Sequence, residues 1–283
     1  MNDQRHKYEY KVKRHTAADK VVNMVGSDKR VLELGPGPGS ITRLLKDNNC
    51  RVTALELDAK AIEIVSEYCE SVHPCNLNDA DWPTKLPGAG KFDVIVAGDV
   101  LEHLYDPWAV LGALPSLLAD DGYVVLSLPH IGHNAAIACL LAGNFEYQPW
   151  GLLDKTHIRF FGIANIQKLF ENAGFKIVDA GFVTKSPEQT EFSRQWSQLP
   201  AETRQALAAN RFGTIYQVVV KAVPRHAEGK GLQLASLPIP SPLAMTFSER
   251  AQGNPVLRFL VSLLGPRTRQ RISRGLERLG IRT

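Results

Sequence analysis

Short apolar segments alternate with longer amphipathic segments from residue 30 onward. Five apolar runs predict β-strands, and the stretches between them carry apolar residues at helical spacing. The predicted strands are 30–34, 51–56, 72–75, 92–97 and 122–128, and the predicted helices are 8–26, 39–47, 59–68 and 107–119. Such alternation predicts an α/β fold, with a mostly parallel sheet and helices on both faces.

The chain after residue 128 departs from this alternation. Residues 130–160 form an insertion that carries His, Trp and Tyr residues. A helix at 163–173 is expected to end at Gly174, because glycine readily adopts the left-handed conformation that closes helices. Strands at 175–183 and 213–222 are predicted to complete the sheet as a C-terminal hairpin, with a polar and largely helical insert between them.

The composition changes after Val223. The segment at 224–255 is predicted to be a linker because it is rich in proline. Its prolines are Pro224, Pro238, Pro240, Pro242 and Pro255. Beyond the linker, an apolar run at 256–264 precedes a basic segment in which Ile272, Leu276 and Leu279 recur at helical spacing. We therefore expect one folded domain at 1–223, followed by a linker and a basic amphipathic tail at 224–283.

The charge is concentrated in that tail. The whole chain carries 33 Lys+Arg and 29 Asp+Glu; residues 225–283 hold 10 and 3 of these, a balance of +7, which leaves −3 for the rest. A nucleic-acid-binding surface on the folded domain is therefore not expected. The tail is predicted to lie on an anionic membrane surface, to dock on a partner, or to dock on its own domain.

The remaining bulk features favour a cytoplasmic protein. Four cysteines show no metal-ligand spacing and are expected to be reduced. The polar N-terminus does not resemble a signal peptide, and no apolar run reaches the roughly 18 residues that a membrane span needs. If the tail contacts a membrane, the protein is expected at its inner face.

Three glycines follow the first predicted strand, at Gly35, Gly37 and Gly39. Glycine lets a backbone turn tightly and approach a ligand closely. The spacing differs from the dinucleotide fingerprint G-x-G-x-x-G, and no P-loop lysine follows. The acidic Glu33 just before them would repel a pyrophosphate. It suits a cationic ligand such as S-adenosylmethionine (SAM), which carries an ammonium and a sulfonium.

Polar residues also follow the later strands. Glu56 ends the second strand, where an acidic residue binds a ribose diol in nucleotide-binding folds. Asn76 follows the third strand and is expected to pair with an adenine edge, while Asp99 follows the fourth. Ligands of open α/β sheets bind at the carboxyl ends of the strands, so these side chains are expected to share one site. Turn formation by Asn76 and helix capping by Asp99 are the alternatives.

On these motifs the chain resembles the class I SAM-dependent methyltransferases, which have a Rossmann-like fold. The resemblance covers roughly residues 10–222 and is carried by Glu33–Gly39, Glu56, Asn76–Leu77 and Asp99–Leu104. The family often has Asp at the position of Asn76. The cofactor-binding residues that the resemblance implies are Glu33, Gly35, Pro36, Gly37, Gly39, Glu56, Leu57, Asn76, Leu77 and Asp99.

A second block of motifs bears on the acceptor. The segments Ser127–His133, Gly143–Tyr147 and Leu153–Gly162 resemble bacterial methyltransferases associated with cell-surface glycan synthesis, such as polysaccharide and lipopolysaccharide. That subfamily often has Asn in place of His130. The resemblance implies O-methylation of a sugar hydroxyl, with a glycosyltransferase as partner. The alternatives are a quinone-type or other small-molecule O-methyltransferase, and a SAM-binding scaffold without catalysis.

Histidines are the candidate general bases, because their pKa lies near neutral pH. His157, which Asp154 is expected to orient, and His133 are the candidates; a purely structural role is the alternative for each. Asp99, Glu102 and His103 also match an acid-x-x-Glu-His run that holds magnesium in ubiquinone-type O-methyltransferases. We expect metal-free methyl transfer here, with Mg²⁺ as the alternative.

Overall fold

The structure is a computed structural model that describes residues 16–86 and 90–244. The predicted basic amphipathic tail lies outside these residues, as does the first half of the helix predicted at 8–26. No helix within the described part combines the length and apolar character that a membrane span requires.

Seven strands of the described part of the chain form one sheet. In chain order they are β1 (Arg30–Leu34), β2 (Arg51–Glu56), β3 (Ser71–Pro74), β4 (Phe92–Gly98), β5 (Leu118–Pro129), β6 (Phe175–Thr184) and β7 (Ile215–Pro224). Their spatial order is β3-β2-β1-β4-β5-β7-β6. Strands β1 to β5 pair in parallel, and β7 pairs antiparallel to β5. The predicted mostly parallel α/β sheet is therefore confirmed. The two last strands, β6 and β7, are neighbours at one end of it, with β6 at the edge.

Eight α-helices accompany the sheet within the described residues. They are α1 (Ala17–Val25), α2 (Ser40–Asp47), α3 (Ala59–Val65), α4 (Pro107–Ala113), α5 (Asn134–Leu141), α6 (Ile163–Asn172), α7 (Ser193–Gln198) and α8 (Ala201–Ala208). Local chemistry sets several of their ends: Thr16, Asp58 and Asp106 accept backbone N–H bonds as N-caps of α1, α3 and α4.

The central strands are buried on both faces, which explains why their sequences are continuously apolar. Along β4, for example, Val94, Ile95, Val96 and Ala97 are all fully buried. Helix α1 packs Val21 and Val25 into the cluster of valines on one side of the sheet. The burial removes apolar surface from water, the main stabilising contribution to such a core.

Strand β5 begins earlier than its pattern predicts. The strand predicted at 122–128 starts at Leu118, from where it pairs with β4, and its register shifts between Phe92 and Val94. Gly122 allows this irregularity, since a Cβ there would lie 2.9 Å from the Ala119 carbonyl oxygen. A β-bulge accommodates polar residues within a strand. The pattern of apolar residues therefore placed the start of β5 too late.

The chain divides into two compact units. The first contains the described residues up to Gly132 together with Tyr147–Val183 and Ile215–Pro238. The second contains His133–Glu146, Thr184–Thr214 and the described residues from Ile239. In the second unit the Asn134 amide nitrogen donates to the Leu207 carbonyl, and its backbone N–H donates to Gly213.

The start of the proline-containing segment belongs to the first unit. Leu232 donates its backbone N–H to the Ile177 carbonyl on β6, and the Leu234 N–H donates to the Gln167 side chain on α6. Leu234 is fully buried. The domain boundary after Val223, which rests on composition, stays a prediction. The residues that follow this boundary, as far as Leu234, are in contact with the first unit.

Candidate active site

The glycine loop joins β1 to α2 with three left-handed residues. Gly35, Gly37 and Gly39 have φ of +58°, +55° and +84°. Added Cβ atoms at Gly35 and Gly39 would lie 3.0 Å from Val100 and Val65 side-chain atoms, so these glycines also allow close packing. A Cβ at Gly37 would meet nothing within 4 Å, which leaves its backbone open to a ligand. Pro36 closes the turn by accepting the Gly39 N–H.

Glu33 is a buried acid at the end of β1. Its side chain is 2% exposed, and its Oε2 accepts a hydrogen bond from Thr42 Oγ1 at 2.7 Å. Burial raises the pKa of this carboxyl from 4.5 to about 7, although the Thr42 hydroxyl counteracts the shift. A carboxylate held at such a cost would be stabilised by a cationic ligand group nearby.

Glu56 connects the second strand to the glycine loop. Its Oε2 accepts the Gly37 N–H at 2.9 Å, and its Oε1 accepts the N–H groups of Leu57 and Asp58 at 2.7 and 2.9 Å. The Glu56 side chain is buried, whereas the Leu57 side chain is 65% exposed. The two loops are thus fixed to one another through a single carboxylate, and its remaining lone pairs are available to a diol.

Asn76 forms a turn after β3. Its Oδ1 accepts the Asn78 N–H at 3.0 Å, and its Nδ2 donates to Asp79 Oδ1 at 3.2 Å. Leu77 beside it is buried. Since the turn uses both ends of this amide, pairing of Asn76 with an adenine edge stays a prediction.

Asp99 lies in a left-handed conformation, with φ of 54°, directly after β4. Its Oδ1 accepts from Ser127 Oγ at 2.8 Å, and its Oδ2 accepts from Gln217 Nε2 at 2.6 Å. Burial raises the pKa of this carboxyl, and the Ser127 hydrogen bond lowers it in part. Residues from β5 and β7 therefore hold Asp99 at the carboxyl end of the parallel strands.

A cluster of Glu102, His103 and His157 lies beyond Asp99. One potential ligand atom from each side chain lies within 4.8 Å of the others. His157 Nε2 is 3.8 Å from Glu102 Oε1, and the two imidazole rings meet edge to face with centroids 4.7 Å apart. Glu102 is fully buried, His157 is 8% exposed, and His103 is partly exposed. The cluster thus has one accessible side, at His103.

Backbone carbonyls define the tautomers of both rings. His103 Nδ1 lies 3.1 Å from the Thr156 carbonyl oxygen, and His157 Nδ1 lies 3.3 Å from the Leu152 carbonyl oxygen. His103 Nδ1 also lies 3.1 Å from Thr156 Oγ1, but that hydroxyl donates its proton to Asp154 Oδ1. Because a carbonyl only accepts, we assign the proton to each Nδ1 and a lone pair to each Nε2. Burial and the neighbouring His103 lower the pKa of His157. Burial and Asp99 hold the pKa of Glu102 well above its usual range.

Backbone hydrogen bonds hold the two parts of the cluster together. The Glu102 carbonyl accepts the N–H groups of Ile158 and Arg159 at 2.9 and 3.0 Å. Asp154 Oδ1 accepts from both the backbone N–H and the hydroxyl of Thr156, rather than from His157. The predicted orientation of His157 by Asp154 is therefore indirect. Its acidic neighbour is Glu102, which the sequence analysis placed in a different motif.

His133, the other predicted base, belongs to the second unit. Its side chain is fully buried. Its Nδ1 accepts the Ala135 N–H at 3.1 Å as the N-cap of α5, and its Nε2 lies 2.9 Å from the Lys185 carbonyl oxygen. Both nitrogens thus have backbone partners, which gives His133 a structural role. His130 is also buried, and burial lowers its pKa to about 4.

The chain matches the methyltransferase-domain family model over residues 4–180. It therefore belongs to the class I SAM-dependent methyltransferases, as the motifs and the sheet order indicate.

Curated relatives have modest identity. A protein named ubiquinone biosynthesis O-methyltransferase from Psychrobacter arcticus is 28% identical over 166 residues, which cover 55% of this chain and 62% of that protein. One of the same name from Thiobacillus denitrificans is 27% identical, over 56% of this chain and 69% of the relative. The chain thus spans just under two thirds of the length of the first of these relatives.

Solved structures share the fold. A methyltransferase of Bacillus halodurans aligns with a TM-score of 0.54 and 16% identity, covering 74% of this chain and 98% of its own. Magnesium protoporphyrin IX methyltransferase from Synechocystis, solved with bound S-adenosylhomocysteine, aligns with a TM-score of 0.51 and 17% identity, covering 78% and 92%.

Proposed function

We propose that this methyltransferase transfers the SAM methyl group to a hydroxyl oxygen of a small aromatic acceptor of the quinone type. The observation that carries the proposal is the cluster of two imidazoles and a buried carboxylate, which follows β4 at the carboxyl ends of the strands. Ligands of this sheet architecture bind at that edge. The names of the curated relatives support the same acceptor class.

SAM is proposed to bind along the loops that follow β1, β2 and β4. Gly37 offers an open backbone position, and Glu33 offers a negative charge to a cationic group of the ligand. Glu56 is already fixed by the loop amides and would accept hydrogen bonds from the ribose hydroxyls. Asp99 is proposed to face the methionine part of the cofactor.

Methyl transfer needs little covalent participation by the protein, because the sulfonium already activates the methyl group. The S–CH₃ bond breaks as the O–CH₃ bond forms, so the main requirement is in-line alignment of donor and acceptor. The hydroxyl proton must leave the oxygen, and the imidazole cluster is proposed to take it. His103 presents an Nε2 lone pair on the accessible side, while the more deeply buried His157 positions it.

Exposed aromatic side chains beside the cluster favour an aromatic acceptor. Tyr105 is 70% exposed and Trp108 is 48% exposed. Arg159 links them, since its Nη2 donates to the Tyr105 carbonyl at 2.5 Å and its guanidinium lies 5.8 Å from the Trp108 ring centre. An aromatic ring stacks on such side chains, and Arg159 suits an acidic substituent on it. The sugar hydroxyl predicted from the acceptor-side motifs stays a prediction.

The test is turnover of SAM to S-adenosylhomocysteine by the full chain with a matched acceptor panel. Catechols and hydroquinones with an acidic ring substituent are expected to be methylated, and nucleotide sugars with comparable hydroxyls are not. Methylation of the sugars alone would assign the glycan acceptor instead. SAM binding without turnover of either set would favour a scaffold without catalysis.

A further inference from the structure

The sequence resemblance suggests Asp99, Glu102 and His103 as magnesium ligands. The structure brings a different group of side chains together. Both Asp99 oxygens already accept hydrogen bonds, from Ser127 and Gln217. Magnesium prefers oxygen ligands in octahedral geometry and usually keeps several waters. The potential ligand atoms that lie together in the described residues come from Glu102, His103 and His157, and Asp99 is not among them. A group with two imidazole nitrogens does not fit the preference of magnesium.

A different set of three residues meets at this place. We propose that Glu102, His103 and His157 form a binding site for a divalent transition-metal ion. The three offer one oxygen and two nitrogen atoms within 4.8 Å of one another. The inference goes beyond the proposed function, since cation binding is measurable without SAM, acceptor or turnover.

The buried carboxylate is the first independent observation. Glu102 is 0% exposed, yet within the described residues neither of its oxygens has a hydrogen-bond partner. Buried polar atoms are nearly always hydrogen-bonded, and an exception needs a reason. An ion at the cluster would provide the missing partner, because a cation offsets the cost of burying a carboxylate.

The orientation of the imidazoles is the second observation. His103 directs its Nδ1 proton to the Thr156 carbonyl, and His157 directs its own to the Leu152 carbonyl. Histidines that bind metals usually donate the other ring N–H to a carbonyl or carboxylate in this way. Each Nε2 is then left as the metal-binding atom. The 3.8 Å between His157 Nε2 and Glu102 Oε1 is close to the roughly 3.4 Å expected across a tetrahedral zinc ion.

The donor atoms indicate which cations would bind. Imidazole nitrogens suit zinc, iron, cobalt and nickel, whereas all-oxygen sites suit magnesium and calcium. Three protein ligands leave a coordination position open, as in catalytic rather than structural zinc sites. His103 is the partly exposed member, so this position would face the accessible side. A bound cation would occupy the Nε2 lone pairs that the proposed function assigns to proton transfer. In the metal-bound form the cation itself would instead acidify a hydroxyl placed at the open position.

The experiment uses the full chain after chelator treatment and dialysis. Titration with Co²⁺, followed by its visible absorption, and then competition with Zn²⁺ are expected to show one equivalent bound at micromolar affinity or better. Mg²⁺ is expected not to compete in the same concentration range. If neither Co²⁺ nor Zn²⁺ binds stoichiometrically, the proposal is wrong, whatever the result of the acceptor panel.

Variants identify the ligands. Glu102→Gln, His103→Ala and His157→Ala are each expected to weaken Co²⁺ binding at least tenfold. Exposed His226 provides the matched control, and His226→Ala is expected to bind like wild type. Asp99→Asn separates the two ligand sets: it should retain Co²⁺ binding. Loss of binding in Asp99→Asn with retention in His157→Ala would overturn the assignment. Circular dichroism of every variant verifies the fold, and the shape-conserving Glu102→Gln keeps the test valid if an alanine variant unfolds.

Discussion

The glycine loop and the histidine cluster follow neighbouring strands, β1 and β4, but they are assembled differently. The loop and its acid lie within residues 33–42, where strand, turn and helix succeed one another directly. The cluster joins Glu102 and His103 to His157, which comes 54 residues after His103 along the chain. The first site is therefore contained in local sequence, whereas the second exists only once the sheet and the insertion have folded together.

The largest expected effect tests the local site. Gly37→Leu is expected to weaken SAM binding by at least about 100-fold, or ~2.7 kcal/mol, since a side chain would occupy the open space beside the loop. Isothermal calorimetry measures the affinity. Gly174 is the matched control, because it is also left-handed and its Cβ position is also open. Equal SAM affinities for Gly37→Leu and wild type would contradict the assignment of the loop.

The next effect tests the distant site. His103→Ala and His157→Ala are each expected to lower kcat by about 100-fold with little change in SAM affinity, the effect of losing a general base or its support. His133→Ala is expected to lower the melting temperature instead, because the cap of α5 contributes ~1 kcal/mol. Steady-state kinetics and thermal unfolding distinguish the two outcomes. A kcat loss confined to His133→Ala would reverse the roles.

These contrasts show how far the sequence could predict the site. The positions of Glu33 and Glu56 near the ends of β1 and β2, and of the glycines after β1, could be predicted because both strands are continuous apolar runs. Their contacts with SAM stay a prediction. The contact of His157 with Glu102 was missed, because no spacing rule connects Asp99–Leu104 to Leu153–Gly162. The helical spacing within 130–160 was also missed: α5 has apolar residues on every side, so it shows little periodicity.

A smaller effect concerns pH and the buried acid of the local site. Burial raises the Glu33 pKa to about 7, so much of this carboxyl is protonated below that pH in the empty protein. A cationic SAM group would bind the ionised form and release the proton. The SAM affinity should therefore rise by up to about tenfold per pH unit as the pH approaches 7, and then level off. Calorimetry at about pH 6 and about pH 8 measures this dependence, and Glu33→Gln should abolish it.

The same pKa has the opposite consequence for stability. The unfolded chain ionises this carboxyl near 4.5, before the folded protein does, so the SAM-free protein should lose stability as the pH rises from 4.5 to about 7. Chemical denaturation of wild type and Glu33→Gln across that interval tests the sign. A wild-type stability that increased relative to the variant would contradict the raised pKa.

The smallest expected effect lies in the support of that acid. The 2.7 Å hydrogen bond from Thr42 to Glu33 Oε2 lowers the Glu33 pKa, and Thr42→Val removes this bond. At neutral pH its loss should weaken SAM binding by about fivefold, equivalent to ~1 kcal/mol. Thr42→Ser retains the hydroxyl and serves as the control. If both variants bind SAM like wild type, Glu33 is not coupled to the ligand.

The hydrogen bonds from Ile158 and Arg159 to the Glu102 carbonyl involve only backbone atoms. Such a connection does not depend on which side chains those two positions carry, provided that neither is proline. The Ile158 side chain is 39% exposed, and the Arg159 side chain contacts Tyr105 in the proposed acceptor region. A substitution at either position would change the surface that meets the acceptor. Evolution could therefore alter acceptor preference at these positions in single steps while the histidine behind them stays in place, and directed evolution of new acceptors has the same starting point.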